Sequence, residues 1–143
     1  MSGAEKSLPL GKEELQQRLA QSAFIDFLNL TVLETNPADE RVVMRAEMRP
    51  EFERRKGSGQ WHGGPIAAVI DTVGDYALVM LLGRPLPTVN FRVDYLRPAI
   101  GTALVVTAKV RRNGRLVGVV DVDVENEAGQ LVAVGRATYA TAG

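Results

Sequence analysis

The sequence predicts an α+β domain in which a curved antiparallel sheet of about six strands wraps around one long apolar helix. Three observations lead there. Residues 61–82, WHGGPIAAVIDTVGDYALVMLL, are apolar on nearly every helical face, the pattern of a helix buried on all sides. Two stretches before it and four after it read as strands, by β-branched content or by two-residue alternation. Turn chemistry separates those stretches, including Asn113-Gly114, the strongest short-range hairpin signal in the chain.

Residues 1 to about 10 read as a loose tail. Over residues 12–23, Leu15, Leu19 and Ala23 recur at helical spacing among Glu, Gln and Arg, giving a short amphipathic helix that lies on another element. Residues 24–34 are rich in Phe, Ile, Leu, Thr and Val and read as a strand, which Asn36-Pro37-Ala38-Asp39 folds back. Residues 41–48 place Val42, Met44, Ala46 and Met48 on one face. Residues 50–60 break the pattern and read as an exposed loop leading to the long helix. There Gly63 and Gly64 sit at the helix start, and Pro65 fits the first turn, where a missing N–H goes unnoticed.

After the helix, residues 83–87 turn. Residues 88–96 then alternate, with Val89, Phe91, Val93 and Tyr95 facing one way and Asn90, Arg92 and Asp94 the other. Leu104, Val106, Ala108 and Val110 lead into the Asn113-Gly114 hairpin, whose return arm sets Val120, Val122 and Val124 against Asp121, Asp123 and Glu125. Ala128-Gly129 turns the chain into a last strand over residues 131–141. Residues 1–23 thus form a tail and short helix, and residues 24–143 a single domain.

Composition narrows the function. Lys plus Arg and Asp plus Glu number 17 each, so the formal net charge is zero. That balance argues against nucleic acid or an acidic membrane as partner and favours self-association. With no cysteine and a single histidine, a metal centre is not expected. The N-terminus carries no apolar secretory segment, so the expected location is the cytoplasm.

Two carboxylates, Asp71 and Asp75, lie one turn apart in the apolar helix. A buried ionised carboxylate costs several kcal/mol unless it is paired, so each either serves chemistry or faces a polar seam or subunit boundary. Gly74 between them costs about 1 kcal/mol relative to Ala and suggests the close passage of a backbone or a ligand. Arg54, Arg55 and Lys56, just upstream, are either phosphate ligands or a solvated surface.

The order of elements, the run His62-Gly63-Gly64, Asp71 after it, and the strand Asn90-Phe91-Arg92-Val93-Asp94-Tyr95-Leu96-Arg97-Pro98-Ala99 together resemble the hotdog-fold acyl-CoA thioesterases, in particular the PaaI-like branch. The resemblance runs from about Phe24 to the end. It implies a hotdog fold and hydrolysis of an acyl-CoA to free acid and CoA, with no cofactor beyond the CoA thioester that is the substrate. It implies Asp71 as nucleophile or as the base that activates water, the Gly63 N–H as the donor that polarises the thioester carbonyl, and Thr88 as a hydroxyl that positions water. Lys56 departs from the family, whose members often carry Asn or Gln there; Gln60 is the nearest amide.

The chemistry of the residues agrees with those roles. A helix N-terminus offers free N–H groups and partial positive charge to a developing oxyanion. Burial of Asp71 would raise its pKa and make it a better base near neutrality. His62 either touches the substrate or fixes the entry to the helix, and Gly64, Lys56, Gln60, Asp75 and Asn90 are candidates for substrate binding. For the CoA phosphates the candidates are Arg54 and Arg55 in the loop and Arg111, Arg112 and Arg115 at the hairpin tip. Gly63 and Asp71 are separated by about 12 Å along one helix at about 1.5 Å per residue, so one thioester cannot touch both. Two antiparallel helices across a twofold axis would join Gly63 of one chain to Asp71 of the other, which predicts a homodimer; further assembly to a tetramer is expected, but the helix geometry does not decide dimer against tetramer. The competing readings are a non-catalytic acyl-CoA or lipid-binding module, kept open by Lys56, and a hotdog hydratase or dehydratase, which a lone histidine directly before the glycines fits poorly.

Overall fold

The computed structural model describes residues 7–143, so the first part of the tail expected at the N-terminus lies outside the described residues. The elements are α1 (Lys12–Leu19), α2 (Ala23–Phe27), β1 (Leu30–Asn36), β2 (Arg41–Ala46), α3 (Gly63–Leu82), β3 (Thr88–Tyr95), β4 (Leu104–Asn113), β5 (Val117–Asn126) and β6 (Leu131–Ala140). The six strands form one antiparallel sheet in the order β1-β2-β4-β5-β6-β3, and α3 packs against it.

Alternation fixes which face meets the helix. Val42, Met44 and Ala46 of β2, Val106 and Ala108 of β4, and Val120, Val122 and Val124 of β5 are all buried. They pack with Val69, Ile70, Val73, Ala77 and Met80 of α3 into one core. By length and composition α3 could cross a membrane, but most of it is buried inside this fold. Gly83 closes it in the left-handed conformation, φ 75°, returning its N–H to the Val79 carbonyl at 2.7 Å.

Three expectations are corrected. The first is the strand expected over residues 24–34, which begins only at Leu30. Ser22 caps a short helix before it, its hydroxyl accepting the Ile25 N–H at 3.3 Å, and Asn29 ends that helix at φ 63°. The second is the tail, whose last part is anchored. Leu10 is buried and its N–H donates to the Met80 carbonyl at 2.8 Å. The third is β3, where Val89, Phe91 and Tyr95 do not reach the core: all three are exposed, and only Val93 is half-buried. β3 pairs with β6 on one side alone, so it is an open sheet edge.

Candidate active site

Residues 50–60 are more than a solvated loop. Pro50–Phe52 form a turn of 3-10 helix that buries Phe52, whose ring stacks on Trp61 at 5.5 Å between centroids. The Glu53 carboxylate then ties the loop, accepting the N–H groups of Gly57 at 3.1 Å and Gly59 at 2.7 Å. The His62 N–H donates to the Phe52 carbonyl at 2.8 Å. These bonds aim the entry into α3.

His62 is the N-cap of α3, its Nδ1 accepting the Gly63 N–H at 2.9 Å. Pro65 has no N–H, and among the described residues nothing accepts the Gly64 N–H. At this helix start the Gly63 N–H is thus engaged by His62, while the Gly64 N–H is open. His62, Gly63 and Gly64 line a cavity of about 550 Å³ with Arg54, Gln60, Trp61, Ile66, Tyr95, Leu96, Arg97, Pro98 and Ala99. The sequence reading missed Tyr95 and Arg97 as site residues. Tyr95 donates its hydroxyl to the Gly63 carbonyl at 2.6 Å. Both were legible only as members of a strand and its end.

Farther along α3, Asp71 is half-buried, and its Oδ1 accepts the Thr88 hydroxyl at 2.8 Å. Its main-chain carbonyl accepts the buried Tyr139 hydroxyl at 2.6 Å. Tyr139 is also what passes close to Gly74: a Cβ there would lie 2.5 Å from its hydroxyl oxygen. Neither Asp71 nor Thr88 lines the cavity at the helix start.

The carboxyl raised by burial is Asp75, pushed up to about 7 by desolvation and then by the charge of Asp71, against a hydrogen bond from the Leu86 N–H. Its Oδ1 is buried without a partner. Burial first, and then the charges of Asp71 and Asp75, hold the Tyr139 hydroxyl well above its usual range.

The remaining candidates are spread out. Lys56 and Arg55 are exposed in the loop and do not line the cavity, whereas Arg54 and Gln60 do. Asn90 is exposed on β3, opposite Thr138 of β6. Arg111 pairs with Asp121 at 3.5 Å, and Arg112 and Arg115 are exposed around the hairpin. That hairpin packs toward the C-terminal half of α3, where Gly118 meets Leu78, so within one chain it is remote from His62. Among the described residues no group of three or more His, Cys, Asp or Glu side chains could hold a metal ion.

A family model described as the thioesterase superfamily matches residues 58–133, a span that starts just before His62 and includes Asp71 and Thr88. The chain belongs to the thioesterase superfamily. It is 36% identical over 95 residues to human acyl-coenzyme A thioesterase 13, covering 64% of this chain and 68% of that protein. The crystal structure of zebra fish thioesterase superfamily member 2 superposes with a TM-score of 0.80 at 28% identity, covering 92% of this chain and 99% of that one. The PaaI protein of the E. coli phenylacetic acid degradation operon shares the fold, with a TM-score of 0.80 at 23% identity over 96% of this chain and 97% of that one. The expected hotdog fold and its PaaI-like affinity are both borne out.

Proposed function

We propose that this thioesterase-superfamily protein hydrolyses an acyl-CoA to the free acid and CoA, at a site built from two chains. The observation that carries this reading is the separation of two half-sites along α3. The open N–H of a helix start lines one cavity, and Asp71, bonded to Thr88 of β3, stands about two turns farther along the same helix. A twofold axis between antiparallel α3 helices would bring the two halves together. The surface such a dimer needs is supported by the open β3 edge, with Val89, Phe91, Tyr95 and Leu96 exposed beside it.

In the assembled site the thioester carbonyl oxygen faces the N-terminus of α3 from one chain. The Gly63 N–H, which His62 Nδ1 gives up when the imidazole turns away, is the donor that meets it. Asp71 of the other chain faces the carbonyl carbon from the opposite side: as base it takes a proton from the water whose oxygen attacks that carbon, and as nucleophile it forms an acyl anhydride that water then hydrolyses to the free acid and the restored carboxylate. Thr88 occupies Oδ1, which leaves Oδ2 for that work. Negative charge on the carbonyl oxygen is held by the helix start until the C–S bond breaks and the CoA sulfur leaves and takes up a proton. No cofactor enters this scheme. Arg54 and Arg97, which line the cavity, suit the phosphates of CoA better than the hairpin arginines do.

The test is thiol release from a panel of acyl-CoAs, read with a thiol reagent; the chain has no cysteine to add background. Absence of release from every ester, with binding retained, would instead make the protein a carrier of acyl-CoA.

A further inference from the structure

Tyr139 and Thr88 are cross-strand partners in the β3–β6 ladder, and both hold Asp71. The Thr88 hydroxyl donates to the carboxylate at Oδ1, and the Tyr139 hydroxyl donates to the main-chain carbonyl of the same residue at 2.6 Å. One grip sets the side chain and the other the backbone that carries it.

A β-bulge puts the two hydroxyls on one face. Thr88 pairs with Tyr139 and Asn90 with Thr138, so Val89 is the extra residue on β3. In a regular strand Thr88 would share the face of Asn90 and Arg92. The bulge turns it instead to the face of Tyr139, which is wholly buried in the core with α3.

The helix makes room for the tyrosine. A Cβ at Gly74 would lie 2.5 Å from the Tyr139 hydroxyl oxygen, so glycine there lets the hydroxyl reach the Asp71 carbonyl. Glycine in a helix interior also loosens the backbone between Asp71 and Asp75, where an outside tie restricts it. The carbonyl has a second lone pair for that tie beside the one its helical bond uses. Burial, and then the charges of Asp71 and Asp75, keep the proton on the hydroxyl, so it remains a donor near neutral pH. Tyr139 has no exposed surface, so it acts on a substrate only through Asp71.

Resting on the thioesterase reading above, we propose that Tyr139 is a positioning residue whose hydroxyl pins the Asp71 backbone while Thr88 sets the carboxylate, so that the acid meets the thioester in one orientation. The steps of the reaction are unchanged by this; what Tyr139 supplies is the placement of the acid.

The experiment is Tyr139→Phe, which removes only the hydroxyl and keeps the ring in the core. With the best acyl-CoA, kcat should fall about tenfold, short of the roughly hundredfold that a misplacement of about 1 Å costs, and KM should stay within about twofold of wild type. Gly74→Ala, which keeps the tyrosine but displaces its hydroxyl, should lower kcat as well. In the Tyr139→Phe background the same alanine should cost less than about twofold, because the atom it meets is gone. Adding Tyr139→Phe to Asp71→Asn should also change the residual rate by less than about twofold, since the tyrosine acts through the acid. A Tyr139→Phe kcat within about twofold of wild type overturns the proposal, and a melting temperature lowered without a change in kcat makes the hydroxyl a stability element alone. A further tenfold or so lost on top of Asp71→Asn overturns it too. If Tyr139→Phe does not fold, Gly74→Ala decides alone, and its kcat at the wild-type level overturns the proposal. Absence of thiol release by the wild type from every ester overturns the thioesterase reading first, and the positioning role falls with it.

Discussion

Thr88 of β3 donates its hydroxyl to Asp71 Oδ1 of α3 at 2.8 Å, and this bond ties the open edge of the sheet to the carboxylate of the central helix. It sets the rotamer of Asp71 and leaves Oδ2 free. Asp71→Asn should therefore lower thiol release by about 10²–10⁴, the range of a lost general base, without unfolding the protein. Thr88→Val should cost about tenfold, while Thr88→Ser, which keeps the hydroxyl, stays close to wild type. Equal activity in the Val and Ser variants would mean that the bond does not orient the acid.

If each site combines two chains, inactive variants should rescue one another. Gly63→Val places a side chain against Tyr95, and Asp71→Asn removes the acid, so each homodimer should be dead. A random mixture under exchanging conditions should recover roughly a quarter of wild-type activity, because half the dimers carry one intact site of two. A mixture that stays inactive would mean that a single chain supplies both residues of each site.

Asp75 should make stability depend on pH. Its carboxyl holds a proton in the fold up to about 7, against an ordinary value of 3.8, so the folded protein binds more protons between those limits. Stability from this group is fully present below the ordinary value and is lost as pH rises through about 7. Thermal unfolding followed across that interval should show this decline, of at most about 4 kcal/mol. Asp75→Asn should flatten it. A decline that persists in the Asn variant would assign it to other groups.

The cavity arginines separate CoA recognition from chemistry. Arg54→Gln and Arg97→Gln together should raise KM for an acyl-CoA about tenfold or more and leave a pantetheine ester of the same acyl group unaffected, since only the former carries the nucleotide phosphates. Replacing Arg111, Arg112 and Arg115 should do much less. The opposite ranking would move the phosphate site to the hairpin of the partner chain.

The sequence by itself determined the elements whose periodicity is unbroken. Within the stretches read for them, residues 63–82 form the buried helix and residues 41–46 a strand with one wet face, because each pattern is local and tertiary packing agrees with it; the hairpin also forms, with Asn113 kept in β4 opposite Gly118 and the turn on the residues after it. It also brought Asp71, Thr88, His62 and the glycines into view as one chemical set. Tertiary structure decided what depends on neighbours distant in the chain. Residues 24–27 are β-prone in composition, yet a serine cap and packing of Phe27 on Phe52 make them helical. Val89, Phe91 and Tyr95 alternate as a core strand would, but the sheet order leaves β3 at the edge with no chain on its outer side. Burial in the body of the fold raises the Asp75 carboxyl against the hydrogen bond from the Leu86 N–H, and Asp71 accepts the Thr88 hydroxyl. The free N–H belongs to Gly64 because His62 folds back onto Gly63, and Tyr95 reaches that peptide from a strand 32 residues away. Periodicity reports which face a residue occupies; desolvation and hydrogen bonding depend on what the fold sets against that face.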